Sequence, residues 1–171
     1  MLKLIGSILI ITVTTWIGFE VAKQLKERPK HLRYLKNALQ SLEVEILYGH
    51  TPLIEATMRI AKQIPKPLST MFDSFAHKLQ SKQTNVMDAW EESIQEVWRQ
   101  TSFKQGEYEI LTQFGKTLGQ HDIVSQQKHI RLALNHLERE EGDAIERQTR
   151  YEKMVKSLGF LSGLLIVILL I

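Results

Sequence analysis

Apolar positions recur at helical spacing along most of this chain. Leu32, Leu35, Leu39, Leu42 and Ile46 step by three and four, which sets them on one face of a helix reaching Tyr48. Leu53, Ala56, Ile60 and Ile64 predict a second helix, closed by Pro65-Lys66-Pro67, and Leu68, Phe72, Phe75 and Leu79 a third. Val86, Ala89, Trp90, Ile94, Val97 and Trp98 mark a fourth, and Ile110, Leu111, Phe114 and Leu118 a fifth that Gly119 stops. The last helix starts at Asp122, a suitable cap, and runs through Ile130, Leu134, Leu137, Ala144 and Tyr151 to the C-terminal end. Breaks at Gly49, Pro65, the polar stretch Ser81 to Asn85 and Gly119 leave short connections, which favour antiparallel neighbours. No stretch alternates as a strand does. Thr51 is placed to cap the second helix with Pro52 at its first position, and Arg28-Pro29 is expected to end the first near Glu27.

Two runs lack a polar face: Leu4 to Phe19, and Leu158 to Ile171. The first has no small-x-small cleavage site, because Trp16-Ile17-Gly18-Phe19-Glu20 puts bulky or charged groups where a signal peptidase needs small ones. It reads as an uncleaved anchor, with Trp16 and Phe19 suited to the interface. The second run covers about 21 Å at 1.5 Å per residue, short of a hydrocarbon core of about 30 Å. Met154 and Val155 extend it if Lys153 and Lys156 reach back toward the headgroups. The fold class is therefore all-α, an antiparallel helical bundle of about six helices with a transmembrane helix at each end. The expected division is a membrane helix and its extension over 1–27, a helical body over 28–153 and a second membrane helix over 154–171.

Charge orients this arrangement. Residues 1–36 carry seven Lys or Arg against two acids, residues 37–127 eight against eleven, and residues 128–171 seven against six. Lys23, Lys26, Arg28, Lys30, Arg33 and Lys36 follow the first run, and Arg147, Arg150, Lys153 and Lys156 precede the second. The positive-inside rule puts the body in the cytoplasm and both termini on the far side. The body itself is mildly acidic, which argues against nucleic acid as a partner. The chain has no cysteine, so a disulfide framework, a cysteine-ligated zinc and a cysteine nucleophile are excluded.

Candidate chemistry is sparse. The six histidines are scattered, although His129 and His136 lie seven apart near Glu140, and no HExxH is present, so surface imidazoles are the expectation and no metal is predicted. Glu91-Glu92-Glu96 and Glu138-Glu140-Glu141-Asp143, mixed with Arg99, Arg139 and Arg147, read as a solvated face. Gly115 and Gly119 form no phosphate loop, so no nucleotide or other cofactor is expected. Two features point to partners. Gly159 and Gly163 form a GxxxG in the terminal run, which lets a neighbouring helix approach. The turn made by Tyr48, Gly49, Pro52 and Leu53, flanked by Glu43 and Glu45, is either an acidic and aromatic docking edge or a helix hairpin whose residues only cap and turn.

Several stretches resemble the stage III sporulation protein AB family of endospore-forming bacteria. They are Thr15 to Glu20, Arg28-Pro29, Leu39 to Leu53, Leu118 to Asp122 and Met154 to Gly163, in order along nearly the full length. The resemblance implies a component of the channel complex linking mother cell and forespore, in the mother-cell-derived membrane. It implies a body like one cytoplasmic domain of the type II secretion inner-membrane platform protein, on which a cytoplasmic secretion-type ATPase docks. That platform protein has two such domains and three spans, against one domain and two spans here. The expected function is a non-catalytic membrane adaptor meeting that ATPase and other membrane components of the complex, with homo-oligomers open. The alternative is a membrane-anchored sensor binding a cytosolic factor without a transport role.

Overall fold

The computed structural model describes residues 2–49, 51–82, 84–119 and 123–170. Among these residues it is all-α, with six helices: α1 (Leu2–Leu47), α2 (Leu53–Gln63), α3 (Leu68–Ser81), α4 (Val86–Trp98), α5 (Gln105–Gly115) and α6 (Ile123–Leu170). The chain divides into two compact units, Lys30–Glu141 and a second made of Met1–Pro29 with Gly142–Ile171.

The unit Lys30–Glu141 is built on the predicted apolar stripes. Leu32, Leu35, Leu39 and Leu42 are fully buried, joined by Ala38. Trp90 of α4 lies at the centre of the aromatic core, edge-on to Phe72 and Phe75 of α3 and to Phe114 of α5, with ring centroids 5.7, 5.0 and 5.5 Å away. Its Nε1–H donates to the Leu111 carbonyl at 2.8 Å, so the buried indole has its polar partner. Gly115 is required by close approach: a Cβ there would lie 3.1 Å from Cγ and Nε1 of Trp90 and closer still to Cδ1.

Charged pairs set the register of α1 against α6. Arg33 Nε meets Glu141 at 3.0 Å, Lys36 Nζ meets Glu141 at 2.9 Å and Glu138 at 3.8 Å, and Glu43 meets Arg131 Nε at 3.1 Å. Each advance along α1 is matched by a retreat along α6, so these segments run antiparallel. The α6 face turned inward holds Gln126, Ile130, Ala133, Leu137 and Glu141. Leu134, expected inside, is half-buried because Ala133 takes the inner position.

Several local expectations are corrected. Pro29 does not end the first helix; it lies inside α1. Its missing N–H and its ring cost about 3 kcal/mol, but each of the four fully buried leucines that follow contributes about 1.5–3 kcal/mol, and Ala22 and Arg28 before it are buried too. Thr51 does not cap α2; its hydroxyl donates to Glu45 Oε2 at 2.7 Å, and Pro52 occupies the cap position instead of the first helical one. Helix α5 ends at Gly115, and a tight turn with buried Thr117 and Leu118 leads to Gly119, whose φ of 77° suits glycine. Asn85 caps α4 by accepting from the Asp88 amide at 2.8 Å. The expected cap Asp122 lies outside the described residues.

Helix α1 carries, within Ile8–Ile46, a stretch long and apolar enough to cross a membrane, with mean hydropathy 1.4. Ile8, Leu9, Trp16, Ile17 and Phe19 on α1 are exposed, as are Leu158, Leu161, Leu165, Ile168 and Leu169 on α6.

Candidate functional site

The end of α1 is held in a specific turn by backbone hydrogen bonds. The Tyr48 and Gly49 amides both donate to the Val44 carbonyl, at 3.0 and 3.2 Å, and the Thr51 amide donates to the Glu45 carbonyl at 3.1 Å, which turns the chain back toward α2. A Cβ on Gly49 would stand 2.8 Å from the Glu45 carbonyl oxygen and 2.9 Å from the Thr51 hydroxyl, so the turn needs glycine for space.

Glu45 organises the electrostatics. The Thr51 hydroxyl bond holds its carboxyl below the usual carboxylate range; partial desolvation opposes this, and the Arg59 guanidinium, 3.4 Å away, reinforces it. Arg59 also meets Glu55 at 2.6 Å. Glu43 is turned the other way, to Arg131 of α6. The two carboxylates thus hold separate neighbours. What the turn presents outward is Tyr48, 75% exposed, with Val44 at 57% and Pro52 exposed, while Leu53 is half-buried. Beside it, between α1 and α2, lies a groove of about 450 Å³ lined by Asn37, Gln40, Ser41, Glu45 and Gln63. These polar residues form no recognisable motif in sequence, and the helix spacing of 37, 40, 41 and 44 is the one signal by which their shared face could have been found.

The remaining candidates are placed as follows. Gly159 and Gly163 lie in α6, and their surroundings fall outside what the structure describes. In the same unit, Gly18 and Ala22, four apart on α1, are buried, a small-residue pair that was not singled out from sequence. His129, His136 and Glu140 do share a groove, of about 360 Å³, with Glu109, Phe114 and Leu132. Among the described residues no three metal-ligating side chains gather at one point.

Two charged expectations are revised. Glu141 is not on a solvated face: it is buried, and although desolvation opposes ionisation, hydrogen bonds from Lys36 and Arg33 hold its carboxyl below the usual range. His31 is not a surface imidazole: it is buried, and its Nδ1 accepts the Ser102 amide at 3.1 Å.

Comparison with known proteins fits these observations. The family model described as stage III sporulation protein AB matches residues 3–171. The chain belongs to the stage III sporulation protein AB family. A curated family member, stage III sporulation protein AB of Bacillus subtilis (strain 168), is 55% identical over 170 residues, covering 99% of both chains. A solved structure of a stage III sporulation protein AB superposes with a TM-score of 0.69 at 53% identity, covering 72% of this chain and 98% of that one. Membership of this family makes the chain a sporulation protein.

Proposed function

We propose that this sporulation protein is a non-catalytic membrane adaptor. Both apolar ends anchor it in the mother-cell-derived membrane, residues 28–153 form a cytoplasmic body, and both termini face the far side. The body docks a cytoplasmic secretion-type ATPase of the channel complex between mother cell and forespore, through the turn of Glu43, Glu45, Tyr48, Gly49, Pro52 and Leu53.

The observation that carries this reading is the continuity of α1. One helix begins in the exposed apolar run and ends, without a break at Pro29, at the turn that displays Tyr48. A motor held at that turn acts on the same backbone that enters the bilayer. Glu43 and Glu45 contribute indirectly, by fixing the turn through Arg131, Thr51 and Arg59. Exposed aromatic side chains on a rigid support suit the anchor role at an interface.

The test uses the full chain in detergent, mixed with the secretion-type ATPase of sporulating cells. Retention of the ATPase and an increase in its turnover are expected. Tyr48→Asp is expected to lower retention at least tenfold while shifting stability by less than about 0.5 kcal/mol, because an exposed side chain has few partners. Absence of both retention and stimulation by the folded wild-type chain would refute the adaptor.

A further inference from the structure

Some cations of the body are held by carboxylates, while others, such as Lys62, Arg99 and Lys128, are simply exposed. Arg33 and Lys36 are committed to Glu141, Arg59 to Glu45 and Glu55, and Lys78 to Glu92 and Glu96. Lys23, Lys26, Arg147, Arg150 and Lys153 are all exposed, and none is within ion-pair distance of a carboxylate among the described residues. The Arg150 guanidinium lies 5.8 Å from the centroid of the Tyr151 ring. All five belong to the compact unit Met1–Pro29 with Gly142–Ile171.

Their axial positions agree between the two helices. Lys23 and Lys26 follow Phe19 by four and seven residues, about 6–10 Å of helix. Arg150 and Lys153 precede Leu158 by eight and five residues, about 8–12 Å. Each pair is spaced three apart, so each shares a face of its helix. With long side chains able to reach back, both pairs fall at the depth of phospholipid phosphates when their apolar runs are in hydrocarbon.

We infer that Lys23 and Lys26 of α1, with Arg150 and Lys153 of α6, form a belt that binds anionic phospholipid headgroups in preference to zwitterionic ones. The inference rests on the reading that both ends are membrane-embedded. Glu20, Glu27, Glu146 and Glu152 lie in the same zone, so the belt acts by discrete phosphate contacts and not by an unbroken positive field. Arginine supplies a planar fork for two phosphate oxygens, and lysine a point charge. Each cation near an anionic leaflet strengthens association by roughly fivefold.

Trp16 provides the readout. It is 70% exposed on the apolar half of α1, whereas Trp90 is fully buried in the aromatic core and Trp98 is half-buried against Phe103 and Tyr108. The full chain is reconstituted in vesicles of phosphatidylcholine mixed with phosphatidylglycerol, with one or the other lipid brominated on its acyl chains, and quenching of tryptophan fluorescence is compared. Brominated phosphatidylglycerol is expected to quench several-fold more per mole, and raised salt should narrow the difference. The variant Lys23→Gln/Lys26→Gln/Arg150→Gln/Lys153→Gln should be quenched equally by both lipids, with an unchanged far-ultraviolet circular dichroism spectrum.

Equal quenching of the wild type by both lipids overturns the belt while leaving membrane insertion intact, and points those cations toward an acidic protein. A lipid preference retained by the fourfold variant also overturns the assignment. No quenching by either brominated lipid refutes the membrane reading and the belt together.

Discussion

Replacing Gly115 by alanine tests the packing of the core directly. In most helix positions this change is stabilising, by up to about 1 kcal/mol, because alanine restricts the unfolded chain and favours helix. Here the new methyl would press on the Trp90 indole, at 3.1 Å from two ring atoms and less from a third. The ring has little freedom to retreat. Moving it stretches the 2.8 Å bond to the Leu111 carbonyl and disturbs edge contacts with Phe72, Phe75 and Phe114. Overpacking of this sort costs about 1–3 kcal/mol, and since Gly115 is the last residue of α5, the propensity gain is a fraction of the interior value. The net expectation is a loss of about 1–2 kcal/mol.

The measurement is thermal unfolding of the full chain in detergent, followed by circular dichroism, with Gly142→Ala as control. Gly142 has nothing within 4 Å of its would-be Cβ, so alanine there should raise the midpoint. Trp90→Phe removes Nε1 and with it the bond to the Leu111 carbonyl, so a smaller ring is free to shift away from residue 115. In that background the penalty of Gly115→Ala should fall by at least about 1 kcal/mol, a coupling of the size seen for residues in contact. A neutral or stabilising Gly115→Ala, or strict additivity with Trp90→Phe, would refute the packing argument.

Glu141→Gln should destabilise the Lys30–Glu141 unit by about 1–2 kcal/mol, below the full worth of two charged hydrogen bonds because Arg33 is half-exposed. Because the folded-state pKa of Glu141 is lowered, its stabilisation is present above the unfolded carboxyl value and is lost as pH falls through the folded one; Glu141→Gln should therefore flatten the acid limb of a stability titration, and an unchanged limb would refute the assignment. Ala22→Leu should loosen the packing of the apolar half of α1, read as a lower thermal midpoint of the full chain in detergent; an unchanged midpoint would show that the buried face at Gly18 and Ala22 tolerates bulk.

Much of the helical order was legible because its signals are local. The three-and-four spacing of Leu32 to Leu42 and the aromatic positions of α3, α4 and α5 follow directly from the period of a helix that buries one side. What the sequence concealed depended on contacts distant along the chain. Pro29 looked like a terminus because its local cost is clear, whereas the buried leucines that outweigh it take their value from other helices. Glu141 looked like one more surface carboxylate until Arg33 and Lys36 were brought to it. Thr51 had the right offset for a cap, but Glu45, on the preceding helix, claimed its hydroxyl. The turn at Tyr48 was legible as a turn; the groove of Asn37, Gln40 and Gln63 beside it was not, since it needs α2 laid against α1.

The opposed register of α1 and α6 constrains how this chain can vary over time. From Arg33 through Lys36 to Glu43, the partners run back from Glu141 through Glu138 to Arg131. A single-residue insertion between Lys36 and Glu43 would rotate everything beyond it by about 100°, turning Leu39 and Leu42 or Glu43 away from their partners. Such a change is tolerable only with a matching insertion between Arg131 and Glu138. Length changes in these two segments should therefore arise together or be absent, while substitutions that keep their length, and insertions at the α2–α3 and α3–α4 connections, remain open to drift.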